Sequence, residues 1–288
     1  MNDVTSTNDA AARSTVKPRR LLIAVHDSIA AHAAVPVAAT IARALRAKVV
    51  VVTVVESAAG PLDQPIQDRD LNAANTLLEV LRAEGLSASL DVRVAEDGDV
   101  AKAVVASTEQ LAPELLVLGS HSQHEVVGLV GGSVLYDVIR RAVCPVLVVP
   151  ILGAQFHSMT MLTRIVLAVH VSDTSDHAAS VVMRLAEPGA EVFVLHVHEV
   201  DLPDQEGLSE RVNSIVRMLE SAGLQPRALE SHTLPHAIPE TILDISARME
   251  AGLIVLGNPG RSELGGLLHG SVSHKLLRNA HCPVLIVR

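Results

Sequence analysis

The chain has 288 residues, 49% of them hydrophobic, which is ample for a buried core in one or two domains. Lys and Arg total 23 against 32 Asp and Glu, a formal net charge of -9, and aromatics make up 1% with no Trp. That balance argues against nucleic acid as a partner, since both the basic surface and the stacking platforms are missing, and no apolar run reaches membrane-spanning length.

The polar stretch Met1 to Arg20 has no apolar core of a secretory signal and reads as a disordered lead over residues 1–18. Leu21 to Val25 is a short continuous apolar run, as a buried parallel strand should be. An Ala-rich helix follows to about Arg46, then a second strand, Val49 to Val55, rich in β-branched residues. Beyond a loop holding Gly60, Pro61 and Pro65, Leu71, Ala74, Leu78 and Leu81 recur at helical spacing, and Gly85 sits where a helix end wants glycine. Ala88 to Val94 reads as a strand and Val100 to Gln110 as a helix. Leu115 to Leu118 is a fourth strand, the segment after Gly132 a helix, and Pro145 to Val149 a fifth strand.

The second half repeats the first. Leu115 to Val149 and Leu253 to Val287 align without a gap and share 17 of 35 residues, and Leu21 to Ser28 (LLIAVHDS) matches Ile165 to Ser172 (IVLAVHVS). Strands at Ile165 to Val169, Val192 to Val197, Leu253 to Leu256 and Pro283 to Val287, with the Val212/Ile215/Leu219 helix ending near Gly223, restate the order. The expected domains are 19–150 and 163–288, joined by 151–162 within the segment Pro150 to Thr163. The expected fold class is α/β: two repeated doubly wound, Rossmann-like domains, each with a five-stranded parallel sheet. Ligands of such sheets bind beyond the carboxyl ends of the strands, where strand order reverses.

The most informative segment is Gly257-Asn258-Pro259-Gly260, nine residues, then Gly270-Ser271. Gly257 and Gly260 let backbone approach a ligand closely, and Gly270-Ser271 opens a helix whose free N–H groups and dipole favour phosphate. A plain loop with a helix cap is the competing explanation. Histidines at 121 and 124, 196 and 198, and 269 and 274 invite a metal reading, but none is coupled to Cys or a carboxylate cluster, so no metal is assigned and surface or strand-tip positions are expected. There is no Gly-Lys-Ser/Thr phosphate loop, nucleophile elbow or paired acid, so no catalytic residue is assigned. Cys144 and Cys282 are isolated, each before a Pro, and form no disulfide framework; a cytoplasmic chain is expected.

The pattern Gly-x2-Gly-x9-Gly-Ser after the strand Leu-Ile-Val-Leu-Gly resembles the ATP-binding motif of the universal stress protein family, and the resemblance covers both repeats. It implies that Ala168, Val169, Val197, Gly257, Gly260, Gly270, Ser271 and Val272 meet an adenine nucleotide, ATP or else AMP or ADP, with Mg only as its counter-ion. In the first copy it implicates Ala24, Val25, Val54, Gly119, Ser122, Gly132, Ser133 and Val134. Two departures stand out. Ser122 replaces the second glycine in copy one, which predicts a weaker first site. His26 and His170 replace the usual Asp after strand one; imidazole can still hydrogen-bond a ribose hydroxyl, and His170 is expected to titrate near its ordinary value of about 6.5.

The resemblance also implies pairing through the fifth strands. Val146 to Val149 and Val284 to Val287 are short and apolar, and a fifth strand outside strand four would be an unprotected sheet edge. The expected arrangement is a pseudo-dimer with these strands antiparallel inside one chain, with a homodimer of chains as a further possibility. The favoured function is a non-catalytic, ATP-binding stress sensor or regulator, weak ATP hydrolysis being left open. The rival is an interaction scaffold with degenerate sites. An enzyme of nucleotidyl or adenylyl transfer would need a catalytic Lys or His motif that the sequence lacks.

Overall fold

The computed structural model describes residues 19–25, 28–56, 64–120, 131–150, 160–170, 174–200, 208–234, 237–257 and 271–288. The expected disordered lead, most of the linker, and the candidate residues His26, Ser122, Gly260 and Gly270 lie outside them.

The first copy runs β1 (Arg20–Val25), α1 (Ser28–Leu45), β2 (Lys48–Glu56), α2 (Gln64–Ala83), β3 (Ala88–Ala95), α3 (Val100–Leu111), β4 (Leu115–Ser120), α4 (Gly131–Arg141) and β5 (Val146–Pro150). The second runs β6 (Arg164–Ala168), α5 (Thr174–Leu185), β7 (Glu191–Glu199), α6 (Leu208–Ser221), β8 (Gln225–Thr233), α7 (Ile238–Arg248), β9 (Leu253–Gly257), α8 (Ser271–Asn279) and β10 (Val284–Val287). Of the apolar positions of α2 that repeat at helical spacing, Ala74, Leu78 and Leu81 are buried and Leu71 is half-buried. The helix then stops at Gly85, whose φ of +77° lets the chain turn back so that the Leu86 N–H reaches the Leu81 carbonyl. Gly223 repeats that turn after α6, with the Leu224 N–H on the Leu219 carbonyl.

All strands join one ten-stranded sheet in the order β3-β2-β1-β4-β5-β10-β9-β6-β7-β8. Within each copy every pairing is parallel. In each copy the order reverses beside the first strand, between β1 and β4 and between β6 and β9, the switch point beyond whose carboxyl ends sheets of this kind hold their ligand crevice. The helices cover both faces. Side chains of α1, α2, α5 and α6 pack on one side and those of α3, α4, α7 and α8 on the other, each apolar cluster running through both copies. Strands such as β5 and β10 are therefore buried throughout and read as unbroken apolar runs.

The fifth strands are at the centre of this sheet, not at its edge. β5 and β10 run antiparallel with Leu147 opposite Leu285, which are equivalent residues of the two repeats. The true edges are β3 and β8, and both carry charge. Arg93 pairs with Asp91 on β3, while β8 holds Pro226, Arg227 and Glu230. A second pair of equivalents meets across the same axis: the rings of Tyr136 on α4 and His274 on α8 stack with centroids 4.6 Å apart. Contact between equivalent residues is the signature of an isologous, two-fold interface. At the end of the chain, the Arg288 guanidinium donates to the carbonyls of Arg140 and Ala142, so the second copy supplies a cation to the C-terminus of α4 in the first.

Candidate functional site

The candidate site of the second copy draws residues from three elements. Ala168 closes β6, Val197 lies near the end of β7 and Val272 is in the first turn of α8. All three are partly buried and rest on the same apolar cluster. Gly257 closes β9, beside Leu256, which is paired with Ala168. α8 begins at Ser271, the serine of the Gly-Ser pair, and the segment 258–270 that leads into it falls outside the described residues. In the first copy Ala24 and Val134 rest on that cluster in the same way, Val54 and Val25 are buried, Gly119 lies in β4, and Gly132 and Ser133 fall in the first turn of α4.

Gly257 has a second reason to be glycine. A Cβ there would stand 2.9 Å from the carbonyl carbon and oxygen of Thr174, the first residue of α5. The close approach seen here is therefore between β9 and α5.

The exit of β6 is held by side chains. β6 ends at Ala168, one residue earlier than expected, but Val169 stays in register through its N–H to the Leu195 carbonyl, 2.9 Å. The His196 imidazole Nδ1–H donates to the Val169 carbonyl at 3.0 Å. The His170 N–H donates to Ser175 Oγ at 3.0 Å, and the Ser175 hydroxyl donates back to the His170 carbonyl at 2.8 Å. Ser175 and His196 are both buried, at 1% and 5% exposure. His170 itself keeps an exposed surface.

Histidine chemistry in this copy differs from the expectation in two ways. His196 is a core residue, not a strand-tip one. Its ring meets His198 edge-on at 4.2 Å, and His198 in turn stacks on His232 at 4.9 Å. Burial pulls His196 below the usual imidazole value; its bond to Val169 opposes this, and the neighbouring His198 and His170 add to it. His170 is also pulled below its ordinary value, by burial of part of its ring, so it titrates below the expected 6.5. Among the described residues no group of three or more His, Cys, Asp or Glu is placed to hold a metal ion. No helix among them is long and apolar enough to cross a membrane.

A cavity of about 570 Å³ opens between α5 and α6 and is lined by Asp176, Glu210, Arg211, Asn213, Ser214 and Arg217. It contains none of the strand-end residues, and its mixed charge, with Arg211 already paired to Asp176 at 2.9 Å, does not select an anion. The strand-end site, with its helix N-terminus and apolar residues, is the better candidate for a nucleotide.

Comparison with known proteins agrees with the repeat. A universal stress protein of Methanocaldococcus jannaschii is 30% identical over 142 residues, 43% of this chain and 81% of that one. One from Thermus aquaticus is 34% identical over 138 residues, 44% of this chain and 100% of that one. Among solved structures, a universal stress protein from Archaeoglobus fulgidus shares the fold with a TM-score of 0.69 at 16% identity, over 94% of this chain and 98% of that one. The profile of the universal stress protein family matches twice, at residues 17–150 and 161–288. The chain therefore belongs to the universal stress protein family and carries two copies of its domain in tandem.

Proposed function

We propose that this protein binds an adenine nucleotide, ATP in preference to AMP or ADP, at the crevice of the second copy and acts without catalysis as a sensor or regulator in a stress response. What supports the reading is that Ala168, Val197 and Val272 all rest on one apolar cluster and that α8 starts at Ser271, directly before Val272. Those apolar side chains suit a purine, and the helix start suits phosphate with Mg as counter-ion. Val169, His170, Gly257, Gly260 and Gly270 complete the proposed second site; Ala24, Val25, His26, Val54, Gly119, Ser122, Gly132, Ser133 and Val134 form the weaker first one. The working unit in this reading is the pair of domains, 19–150 and 163–288, joined through β5 and β10, in the cytoplasm. Calorimetric titration of ATP into the full chain tests it. One tight site per chain that disappears with Gly270→Val is expected, because a branched side chain would stand at the phosphate approach. No heat of binding refutes it.

Two observations favour a scaffold without nucleotide. The packing of Gly257 on Thr174 explains that glycine without any ligand, and His170 stands where the family's carboxylate is usual. A chain that takes no ATP yet keeps its fold would establish that second reading.

A further inference from the structure

The two copies differ at two positions beside the exit of their first strands, and both are outside the proposed site residues. In the second copy Ser175 satisfies both the N–H and the carbonyl of His170, while His196 satisfies the carbonyl of Val169. Two successive residues at the mouth of the crevice are thus tied to buried groups on α5 and β7. Repeat alignment gives the counterparts in the first copy. LLIAVHDSIAA against IVLAVHVSDTS puts Ala31 in the place of Ser175, and alanine has no hydroxyl to offer. The strand register puts Thr53, opposite Val25, in the place of His196, opposite Val169. Thr53 is 0% exposed, and its hydroxyl meets no hydrogen-bond partner among the described residues. The first copy thus has no clamp from either position, and where the second has a satisfied imidazole it has an orphaned hydroxyl.

We infer that Ser175 and His196 are positioning residues that hold the β6 exit in one backbone conformation, and that this clamp makes the second crevice the better-formed nucleotide site. The inference rests on the nucleotide reading above and adds to it a cause separate from the glycine loop. A preorganised strand exit need not be ordered when ligand arrives, so the cost of ordering it is absent from the binding free energy. Each clamp bond contributes on the scale of an ordinary buried hydrogen bond, so its loss should weaken binding roughly 3- to 10-fold. Serine and histidine act here through backbone, so neither needs to reach the ligand.

The test uses the full chain with Ser175→Ala, His196→Thr and His196→Asn, the first two importing the first copy's residues. An asparagine amide can donate from the place of imidazole Nδ1, so His196→Asn is the conservative control. Two readouts are taken: ATP affinity by calorimetry, and amide hydrogen exchange at His170 without nucleotide. The expected result is weaker ATP binding in Ser175→Ala and His196→Thr, recovery to within about 3-fold of wild type in His196→Asn, and faster exchange at His170 in Ser175→Ala. Unchanged affinity in both importing variants, or unchanged exchange at His170, overturns the clamp. If the wild-type chain takes no ATP, the nucleotide reading falls, and exchange at His170 decides the clamp by itself.

Discussion

Replacing both Leu147 and Leu285 by lysine should split the two copies apart. The residues face each other directly across the β5–β10 seam, at 1% and 0% exposure. Each substitution removes the burial of a leucine, about 1.5–3 kcal/mol. Each also leaves an ammonium in the core at a further cost of several kcal/mol, with no carboxylate opposite it. Side chains directly opposite in an antiparallel pair have Cβ atoms about 5 Å apart, so the two like charges repel as well. The sum is on the order of 10 kcal/mol, comparable with the whole stability of a domain. Separation relieves it, because each lysine then reaches water from an exposed edge. Each copy keeps its own helices on both sheet faces, so the copies should survive separation with their strand-end crevices intact. Sedimentation velocity and scanning calorimetry on the double variant should show a more extended particle or aggregation through the freed edges, with two unfolding transitions. A wild-type sedimentation coefficient with a single cooperative transition would refute the pairing.

Four further outcomes follow from the same structure. Domains 19–150 and 163–288 expressed separately should bind ATP unequally, the second more tightly; equal affinity by calorimetry contradicts this. Stability should fall as pH drops below about 6.5, because burial depresses His170, His196 and His281 in the folded state, so the unfolded chain binds more protons in that range. Urea unfolding at a series of pH values measures the loss, and His196→Asn should remove part of it. Cys144 and Cys282 are buried thiols pushed up to about 12, so neither should react with a thiol reagent until the chain unfolds, and rapid labelling of the native protein would contradict their burial. Arg288→Ala should lower the unfolding midpoint by the equivalent of about 1 kcal/mol, since it strips a charged donor from the last carbonyls of α4, and an unchanged midpoint would show that water serves equally well.

The fold was legible because the sequence states it twice. The motif Leu-Ile-Val-Leu-Gly, the shared Cys-Pro before the fifth strand and the helical spacing of Ala74, Leu78 and Leu81 each fix an element in a place that the structure confirms. β8 was harder to see. Gln225–Thr233 is an edge strand with Arg227, Glu230 and His232 toward solvent, so it lacks the apolar run that marked the central strands. The fifth strands were recognisable as unsatisfied edges, but their central place in one continuous sheet is a property of the paired copies. At the candidate site, the glycine and Gly-Ser positions are a proposal from local chemistry and resemblance, and Ser122, Gly260 and Gly270 lie outside the described residues. The bonds of Ser175 and His196 could not be read from the sequence: Ser175 turns back on the backbone of His170, 5 residues earlier, and His196 reaches Val169 from 27 residues away. His196 was expected at the surface or a strand tip, and nothing in its spacing indicates burial against a carbonyl. A residue-by-residue comparison of the repeats holds the missing signal, since Ala31 and Thr53 stand where the second copy has Ser175 and His196.

Native mass spectrometry of the full chain, purified without added nucleotide and then titrated with ATP, tests nucleotide binding at the second crevice most directly. The account predicts one adenine nucleotide per chain at low ATP, lost in Gly270→Val and kept in Gly132→Val. No bound nucleotide, or binding that survives Gly270→Val but not Gly132→Val, would contradict it.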